Sequence, residues 1–97
     1  MRERDIERYL VKQVQALGGE VRKVQWIGRR GAPDRLVMLP LHGRGGRWSS
    51  CRTIWVELKA PGRKATVYQM REHKRMRGMG QVVLVIDSIE GVEELLA

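Results

Sequence analysis

The sequence predicts an α/β domain in which a mixed sheet is flanked by helices, and three observations carry this prediction. Its 97 residues suffice for one small domain. Segments with a helical repeat are interspersed with apolar, strand-like segments in the order α-β-β-β-α-β-α. The hydrophobic share, 42%, is too high for a disordered chain. Neither a repeat nor a linker divides the sequence, so we expect residues 1–97 to form a single domain.

The first half of the chain predicts one helix followed by two strands. Apolar residues recur on one helical face over residues 3–17, until two glycines end the pattern. Residues 20–27 predict a strand with imperfect alternation, and residues 28–33 form a basic loop rich in turn formers. Residues 34–40 predict a short apolar strand that Pro40 closes.

The second half of the chain begins with an irregular segment. Residues 41–52 contain three glycines and three arginines, which favours a flexible hairpin or loop. Residues 53–59 alternate apolar and polar side chains and are the clearest strand. A basic helix over residues 66–77 begins at a capping threonine. The near-continuous apolar run at 81–86 predicts a strand buried on both faces, and a serine caps a short helix over 88–96.

The chain is strongly basic, with 19 Lys and Arg against 11 Asp and Glu, a net charge of +8 and a pI near 10.6. Such a charge favours a polyanionic partner, because lysine and arginine gain by displacing counterions from phosphates. No apolar run approaches the roughly 18–20 residues that span a membrane, and the N-terminus has no apolar signal region. We therefore expect a cytoplasmic protein that is neither secreted nor membrane-bound. Cys51 is the single cysteine, which excludes an internal disulfide and, with only two histidines, a zinc site.

Acidic residues that lie among apolar ones are unexpected in a chain with this net positive charge. Glu57 and Lys59 lie two apart on the predicted strand and share a face. A buried carboxylate is costly unless it is paired or bound to metal. The plainer alternative is a Glu-Lys ion pair on a solvent-facing side of the strand.

Asp34 opens the preceding predicted strand and, by itself, reads equally well as a turn residue. If the two strands are neighbours, Asp34 approaches Glu57 at one end of the sheet. Two carboxylates sharing a site repel unless a cation neutralises them, and Mg²⁺ prefers such oxygen ligands.

Glu3 and Glu7 lie four residues apart, within the apolar stripe of the first helix. The alternative is that acidic residues favour the positive end of the helix dipole, which explains Glu3 better than Glu7.

Together these residues resemble the VRR-NUC domain (virus-type replication-repair nuclease) of the PD-(D/E)XK nuclease superfamily. The resemblance covers nearly the whole chain, and residues 41–52 match least well because they are longer than the usual hairpin. It implies an αβββαβ restriction-endonuclease-like core with helices on both sides, to which this chain adds a C-terminal helix. The matching segments are Gly31-Ala32-Pro33-Asp34-Arg35-Leu36-Val37, Val56-Glu57-Leu58-Lys59-Ala60-Pro61-Gly62 and Gln69-x-x-Glu72-His73.

The resemblance also implies roles for the residues of the strand motif. Asp34 and Glu57 would bind Mg²⁺ or Mn²⁺, with the main-chain carbonyl of Leu58 as a third ligand. Lys59 would orient the attacking water and help to deprotonate it.

The two helices would supply further residues. Related junction resolvases carry a glutamate at a similar distance before the helix-ending glycine, which favours Glu7 over Glu3 as the ligand of a second metal position. Gln69 corresponds to the family's helix glutamine near the active site, although a solvated helix residue explains it equally well. For His73, an ordinary helix position is favoured over contact with phosphate or metal-bound water.

Basic residues around these positions are candidates for DNA contact, because phosphate contacts position a duplex without reading its sequence. We expect Trp26 and Trp55 to lie in the core or at a subunit interface, whereas Trp48 is the best candidate for stacking on bases. The basic candidates are Arg29, Arg30, Arg44, Arg47, Arg63, Lys64, Arg71, Lys74, Arg75 and Arg77.

The predicted function is a Mg²⁺- or Mn²⁺-dependent endonuclease that hydrolyses phosphodiester bonds of branched DNA. Small relatives act on branched DNA, and a symmetric homodimer would place two sites for paired nicks on a Holliday-type four-way junction in phage or bacterial recombination and repair. One alternative is a flap or duplex nuclease acting with a helicase or another replication-repair partner. The other is a non-catalytic nucleic-acid-binding module.

Overall fold

The fold consists of three helices and a four-stranded sheet. The structure is a computed structural model that describes residues 1–42 and 48–97. Side chains are described for residues 1–40 and 52–97. The elements follow the predicted order: α1 (Glu3–Ala16), β1 (Glu20–Lys23), β2 (Arg35–His42), β3 (Trp48–Leu58), α2 (Val67–Gly78), β4 (Val83–Ile86) and α3 (Ile89–Leu96).

The strands form one mixed sheet in the order β1-β2-β3-β4. β1 pairs antiparallel with β2 and β2 with β3, whereas β4 runs parallel to β3. A parallel pair needs a crossover connection, and α2 provides it. The predicted α/β class and element order are therefore confirmed.

The hydrophobic core lies between one face of the sheet and helices α1 and α3. Alternate residues of β3 point into this core, as the predicted alternation requires. A hydrogen bond of 3.1 Å from the Tyr9 hydroxyl to Glu93 also joins the two helices. The core residues include Ile6, Leu10 and Val14 of α1, Val37 and Leu39 of β2, Ile54, Val56 and Leu58 of β3, and Val92 and Leu95 of α3.

Helix α2 contributes to the opposite side of the sheet, where its buried His73 contacts Glu57 of β3. Glu57 alternates with the core residues Val56 and Leu58, so its side chain leaves the sheet on the other face. The predicted arrangement, with helices on both sides, is thus present.

The prediction that the last strand is buried on both faces is confirmed only in part, because its burial is not continuous along the strand. β4 lies at the edge of the sheet, and Val85 is 38% exposed. Val83 and Ile86 are nevertheless buried. The apolar run indicates a strand but cannot show that the strand has a neighbour on only one side.

The segment 41–52, predicted as a flexible hairpin or loop, includes the end of β2 and the beginning of β3, which pair antiparallel. β2 continues to His42 and β3 begins at Trp48, so Pro40 does not end its strand and lies opposite Cys51. Pairing with β1 reaches no further than Met38, so β2 is an edge strand at Pro40, where proline is tolerated. Arg44 and Arg47, predicted to contact DNA, lie outside the residues that the structure describes. The structure does not describe the side chains of Trp48 and Cys51.

The predicted strand 20–27 is shorter than expected, since β1 ends at Lys23. One more backbone hydrogen bond, of 2.9 Å, joins Val24 to the carbonyl of Asp34. Across the described ranges 1–42 and 48–97, no helix has the length and apolar character needed to cross a lipid bilayer.

Candidate active site

The strand register places Asp34 and Glu57 at the same end of two neighbouring strands. Arg35, the first residue of β2, pairs with Val56 of β3. Asp34 lies one residue before this pair and Glu57 one residue after it, so antiparallel geometry sets them opposite each other. The negative charge of Asp34 helps to raise the pKa of Glu57. The pair expected from the sequence is therefore brought together.

Glu57 is a buried carboxyl group, with 7% of its surface exposed. Burial raises its pKa from 4.5 to about 7, Lys59 opposes this shift, and Asp34 and Glu3 add to it. Near neutral pH, protonated and ionised forms of Glu57 are therefore both populated. A cation bound here would favour the ionised form.

His73 of α2 is the buried partner of Glu57. Its side chain is 1% exposed, and its Nε2 atom lies 3.3 Å from the Glu57 Oε1 atom. Burial lowers the pKa of His73, and the positive charge of Arg77 lowers it further. Both effects favour the neutral imidazole. His73 is therefore a buried residue of α2 that contacts the predicted site carboxylate.

Arg35 links two of the predicted site carboxylates, a role that the sequence did not reveal. Its Nε atom donates to Glu7 Oε2, and its Nη1 atom lies 3.0 Å from Asp34 Oδ1. Burial opposes the charged form of Arg35, but the bonds and charges of Glu7 and Asp34 outweigh it and raise the pKa of Arg35. The Glu7 carboxylate is thus engaged by Arg35, whereas the charge of Glu3 acts on Glu57.

Lys59 lies just beyond β3, where its backbone N–H donates to the carbonyl of Ile86 at 2.9 Å. Its ammonium charge opposes the rise in the pKa of Glu57, which places that charge within reach of the carboxyl pair. Lys59 is half-buried.

Gln69 has a structural role at the start of α2. Its Oε1 atom accepts a 2.9 Å hydrogen bond from the backbone N–H of Thr66, and its own N–H donates to Thr66 Oγ1 at 3.2 Å. This reciprocal capping box satisfies two otherwise unpaired donors at the beginning of the helix. The predicted capping threonine is therefore confirmed.

The loop that precedes Asp34 is fixed at both ends. Trp26 Nε1 donates to the carbonyl of Pro33 at 2.8 Å, and the Trp26 ring packs on Trp55 with 5.1 Å between centroids. Gly31 has a φ of +85°, and a Cβ atom added there would lie 2.6 Å from the Tyr68 carbonyl oxygen. The backbone of the loop thus lies directly against the first turn of α2.

The basic candidates with described side chains are all exposed, and some of them also contact other residues. Arg29 pairs with Glu72, and the Arg30 guanidinium lies 3.6 Å from the centre of the Tyr68 ring. Arg77 donates to the Val83 carbonyl at 2.7 and 3.1 Å, which ties the end of α2 to the beginning of β4. The other exposed candidates include Arg63, Lys64, Arg71 and Lys74.

The donor set at the strand ends fits a hard divalent cation. Mg²⁺ is commonly held by one or two carboxylates, with water and phosphate oxygens completing its coordination. Asp34 and Glu57 provide two carboxylates whose mutual repulsion a cation would relieve. Within the described parts of the chain, no group of three or more His, Cys, Asp or Glu side chains is arranged to hold a metal ion. Water and phosphate oxygens would therefore have to complete the coordination of an ion held by two carboxylates.

Comparisons with known proteins identify the family of the chain. No protein-family model matches the chain. A protein named "Putative nuclease p44", from Acyrthosiphon pisum secondary endosymbiont phage 1, is 47% identical over 88 residues, which cover 91% of this chain and 85% of that protein. A solved structure described as "VRR_NUC domain" superimposes with a TM-score of 0.77 at 37% identity, covering 97% of this chain and 92% of its own. On sequence and fold together, the chain belongs to the VRR-NUC family.

Proposed function

We propose that the protein is a nuclease that hydrolyses phosphodiester bonds of DNA with Mg²⁺ or Mn²⁺. The observation that carries this proposal is the juxtaposition of Asp34 with the buried Glu57 at the ends of β2 and β3. Family membership and a relative whose name describes a nuclease support it.

Asp34, Glu57 and the main-chain carbonyl of Leu58 would hold the metal. When bound, the ion would lower the pKa of a water molecule and stabilise charge on the phosphate oxygens. Lys59 would orient the attacking water and help to deprotonate it, because its positive charge favours the hydroxide form. Its ammonium acts on the same carboxyl group that would bind the metal.

The remaining catalytic candidates lie on the helices. A glutamate of α1 would complete a second metal position, and the engagement of Glu7 by Arg35 favours Glu3 for this role. Gln69 contacts the substrate through its side-chain NH₂, because its Oε1 atom is already used in the helix cap.

The substrate that we propose is branched DNA, with a four-way junction cleaved by a homodimer. Exposed arginines and lysines suit contact with phosphates, which position DNA without reading its sequence. A two-fold symmetric dimer would set two active sites on a two-fold symmetric junction. We place this activity inside a bacterial cell, during phage or bacterial recombination and repair.

Nicking assays test the activity and the substrate together. Labelled four-way, flap and linear duplexes are incubated with Mg²⁺, Mn²⁺ or EDTA, and light scattering measures the mass of the protein in solution. We expect four-way cleavage by a dimer in either metal, and none in EDTA. Asp34→Asn and Glu57→Gln should abolish it, whereas Glu94→Gln, an exposed position on α3, should not. Cleavage in EDTA, or by Asp34→Asn, contradicts the mechanism.

The same assays separate the alternatives. Preferential cleavage of flaps or linear duplexes, or cleavage that requires an added helicase, favours a nuclease acting with a partner. DNA binding without cleavage in either metal favours a non-catalytic nucleic-acid-binding module, which the net charge of +8 would equally explain.

A further inference from the structure

Glu72 is a buried carboxylate that the proposed chemistry does not use. It lies on α2 next to His73, and only 2% of its surface is exposed. Burying an unpaired carboxylate would be strongly unfavourable, so its partners define its role. Those partners are two arginines that belong to different parts of the chain.

Each carboxylate oxygen of Glu72 holds one arginine by its Nε atom. Arg29, from the loop before Asp34, places Nε 3.2 Å from Oε2, and Arg75, one turn along α2, places Nε 3.1 Å from Oε1. Both arginine side chains remain open to solvent, at 47% and 60% exposed. In the described part of the chain, no hydrogen bond engages the Nη1 or Nη2 atoms of either residue.

This arrangement fixes the inner edge of each guanidinium and leaves its terminal amino groups available. Arginine binds phosphate through two parallel N–H donors, and holding the guanidinium in advance reduces the entropy lost on binding. The cluster keeps a net positive charge, so it attracts an anion.

We propose that Glu72 is a positioning residue that holds Arg29 and Arg75 as a paired site for one backbone phosphate of the DNA substrate. This role rests on the proposed DNA substrate and extends it. A phosphate bound by Arg29 would be held at a fixed position relative to Asp34, because Arg29 lies in the loop that precedes Asp34. Glu72 itself does not touch the DNA.

The direction of a charge effect tests the proposal. Glu72→Gln adds one unit of positive charge to a chain of net charge +8, so a purely electrostatic surface would bind DNA more tightly. Loss of the positioning carboxylate should instead weaken binding of a labelled four-way junction about tenfold, measured by fluorescence anisotropy in EDTA. The matched control, Glu94→Gln at an exposed position on α3, should bind as tightly as wild type or more tightly.

Charge-conserving variants test the paired arginine site separately, including the case in which Glu72→Gln fails to fold. Arg29→Lys and Arg75→Lys keep the positive charge but lose the parallel N–H donors of the guanidinium, and each should weaken DNA binding several-fold. Arg52→Lys, an exposed residue of β3 outside the cluster, should not. In the Glu72→Gln background, Arg29→Lys should add little, since the pair is already disordered.

The outcomes separate this role from the proposed function. Wild-type protein that binds no DNA contradicts the DNA substrate itself. Wild-type binding combined with folded Glu72→Gln, Arg29→Lys and Arg75→Lys variants of unchanged affinity overturns only the positioning role. Circular dichroism establishes that each variant is folded, and weakening confined to the cluster variants supports the proposal.

Discussion

His73 Nε2 lies 3.3 Å from Glu57 Oε1, so α2 supplies a buried polar partner for the carboxyl group at the end of β3. Both side chains are nearly inaccessible to solvent. Burial raises the pKa of Glu57 to about 7 and lowers that of His73, so each is held toward its neutral form. The pair is therefore compatible with the protein interior, and ionisation of Glu57 carries a stability penalty.

This penalty predicts a pH-dependent effect of Glu57→Gln. In metal-free wild type, the folded state retains a proton on Glu57 between pH 4.5 and about 7, so the free energy of unfolding falls as pH rises through that window. His73 acts in the opposite direction, because its lowered pKa makes folding more favourable as pH rises toward 6.5. The glutamine variant lacks only the first effect. It should gain stability relative to wild type as pH rises from 5 to 8, by at most about 3 kcal/mol.

Urea unfolding at pH 5, 7 and 8 in EDTA measures this difference. Glu94→Gln, at an exposed position, provides the control and should show no such trend. A stability difference between Glu57→Gln and wild type that stays constant across the range would mean that Glu57 titrates normally.

The contrast between the two α1 glutamates gives a second prediction. Glu7→Gln removes the carboxylate that engages the half-buried Arg35, so the protein should lose about 1–2 kcal/mol of stability. Glu3→Gln, at an exposed position, should change stability by no more than about 0.5 kcal/mol. Because the charge of Glu3 acts on Glu57, this variant should bind Mn²⁺ more weakly.

Calorimetric Mn²⁺ titration and urea unfolding of both variants provide the measurements. Weaker Mn²⁺ binding by Glu7→Gln at unchanged stability would reverse the assignment and make Glu7 the helix ligand.

The parts of this site that follow from sequence periodicity were predictable. Alternation in residues 53–59 set the face of Glu57, and strand adjacency placed Asp34 opposite it, as the register shows. Local signals also sufficed for the Thr66 cap, because its partner Gln69 is only three residues away.

Contacts between distant elements were not predictable in the same way. Arg35 reaches Glu7 across 28 positions of the chain, and Glu72 reaches Arg29 between α2 and the loop before β2. No periodic pattern encodes such pairs, because they depend on how the helices pack against the sheet. The sequence offered one signal for these contacts: Glu72 and His73 are adjacent polar residues within the matched helix segment.

A third prediction concerns the anchor of the loop before Asp34. Trp26→Phe keeps an aromatic ring against Trp55 but loses the 2.8 Å hydrogen bond to the Pro33 carbonyl. The half-buried carbonyl then lacks its donor, so we expect a loss of about 1–2 kcal/mol in urea unfolding. Trp55→Phe is the matched control. The Trp55 Nε1 atom donates a 3.2 Å hydrogen bond to the exposed Gln81, and losing this bond should reduce stability less. Equal losses in the two variants would show that ring size, rather than the Pro33 bond, determines the effect.

The close approach of the loop to α2 gives the last prediction. Gly31 and Gly62 both have positive φ angles, +85° and +80°, so alanine strains the backbone at either position by about 1–2 kcal/mol. At Gly31 the added Cβ atom would also meet the Tyr68 carbonyl oxygen at 2.6 Å, whereas at Gly62 no atom lies within 4 Å. Backbone cannot rotate aside as a side chain can, so the loop must separate from α2.

Gly31→Ala should therefore lose at least about 1 kcal/mol more stability than Gly62→Ala in urea unfolding. Displacement of the loop also moves Arg29 away from Glu72, so the folded Gly31→Ala protein should bind the four-way junction more weakly than Gly62→Ala does. Because both substitutions introduce the same methyl group on the same kind of backbone, their difference isolates the contact with Tyr68. Equal stability of the two variants would mean that the loop does not lie against α2 in solution.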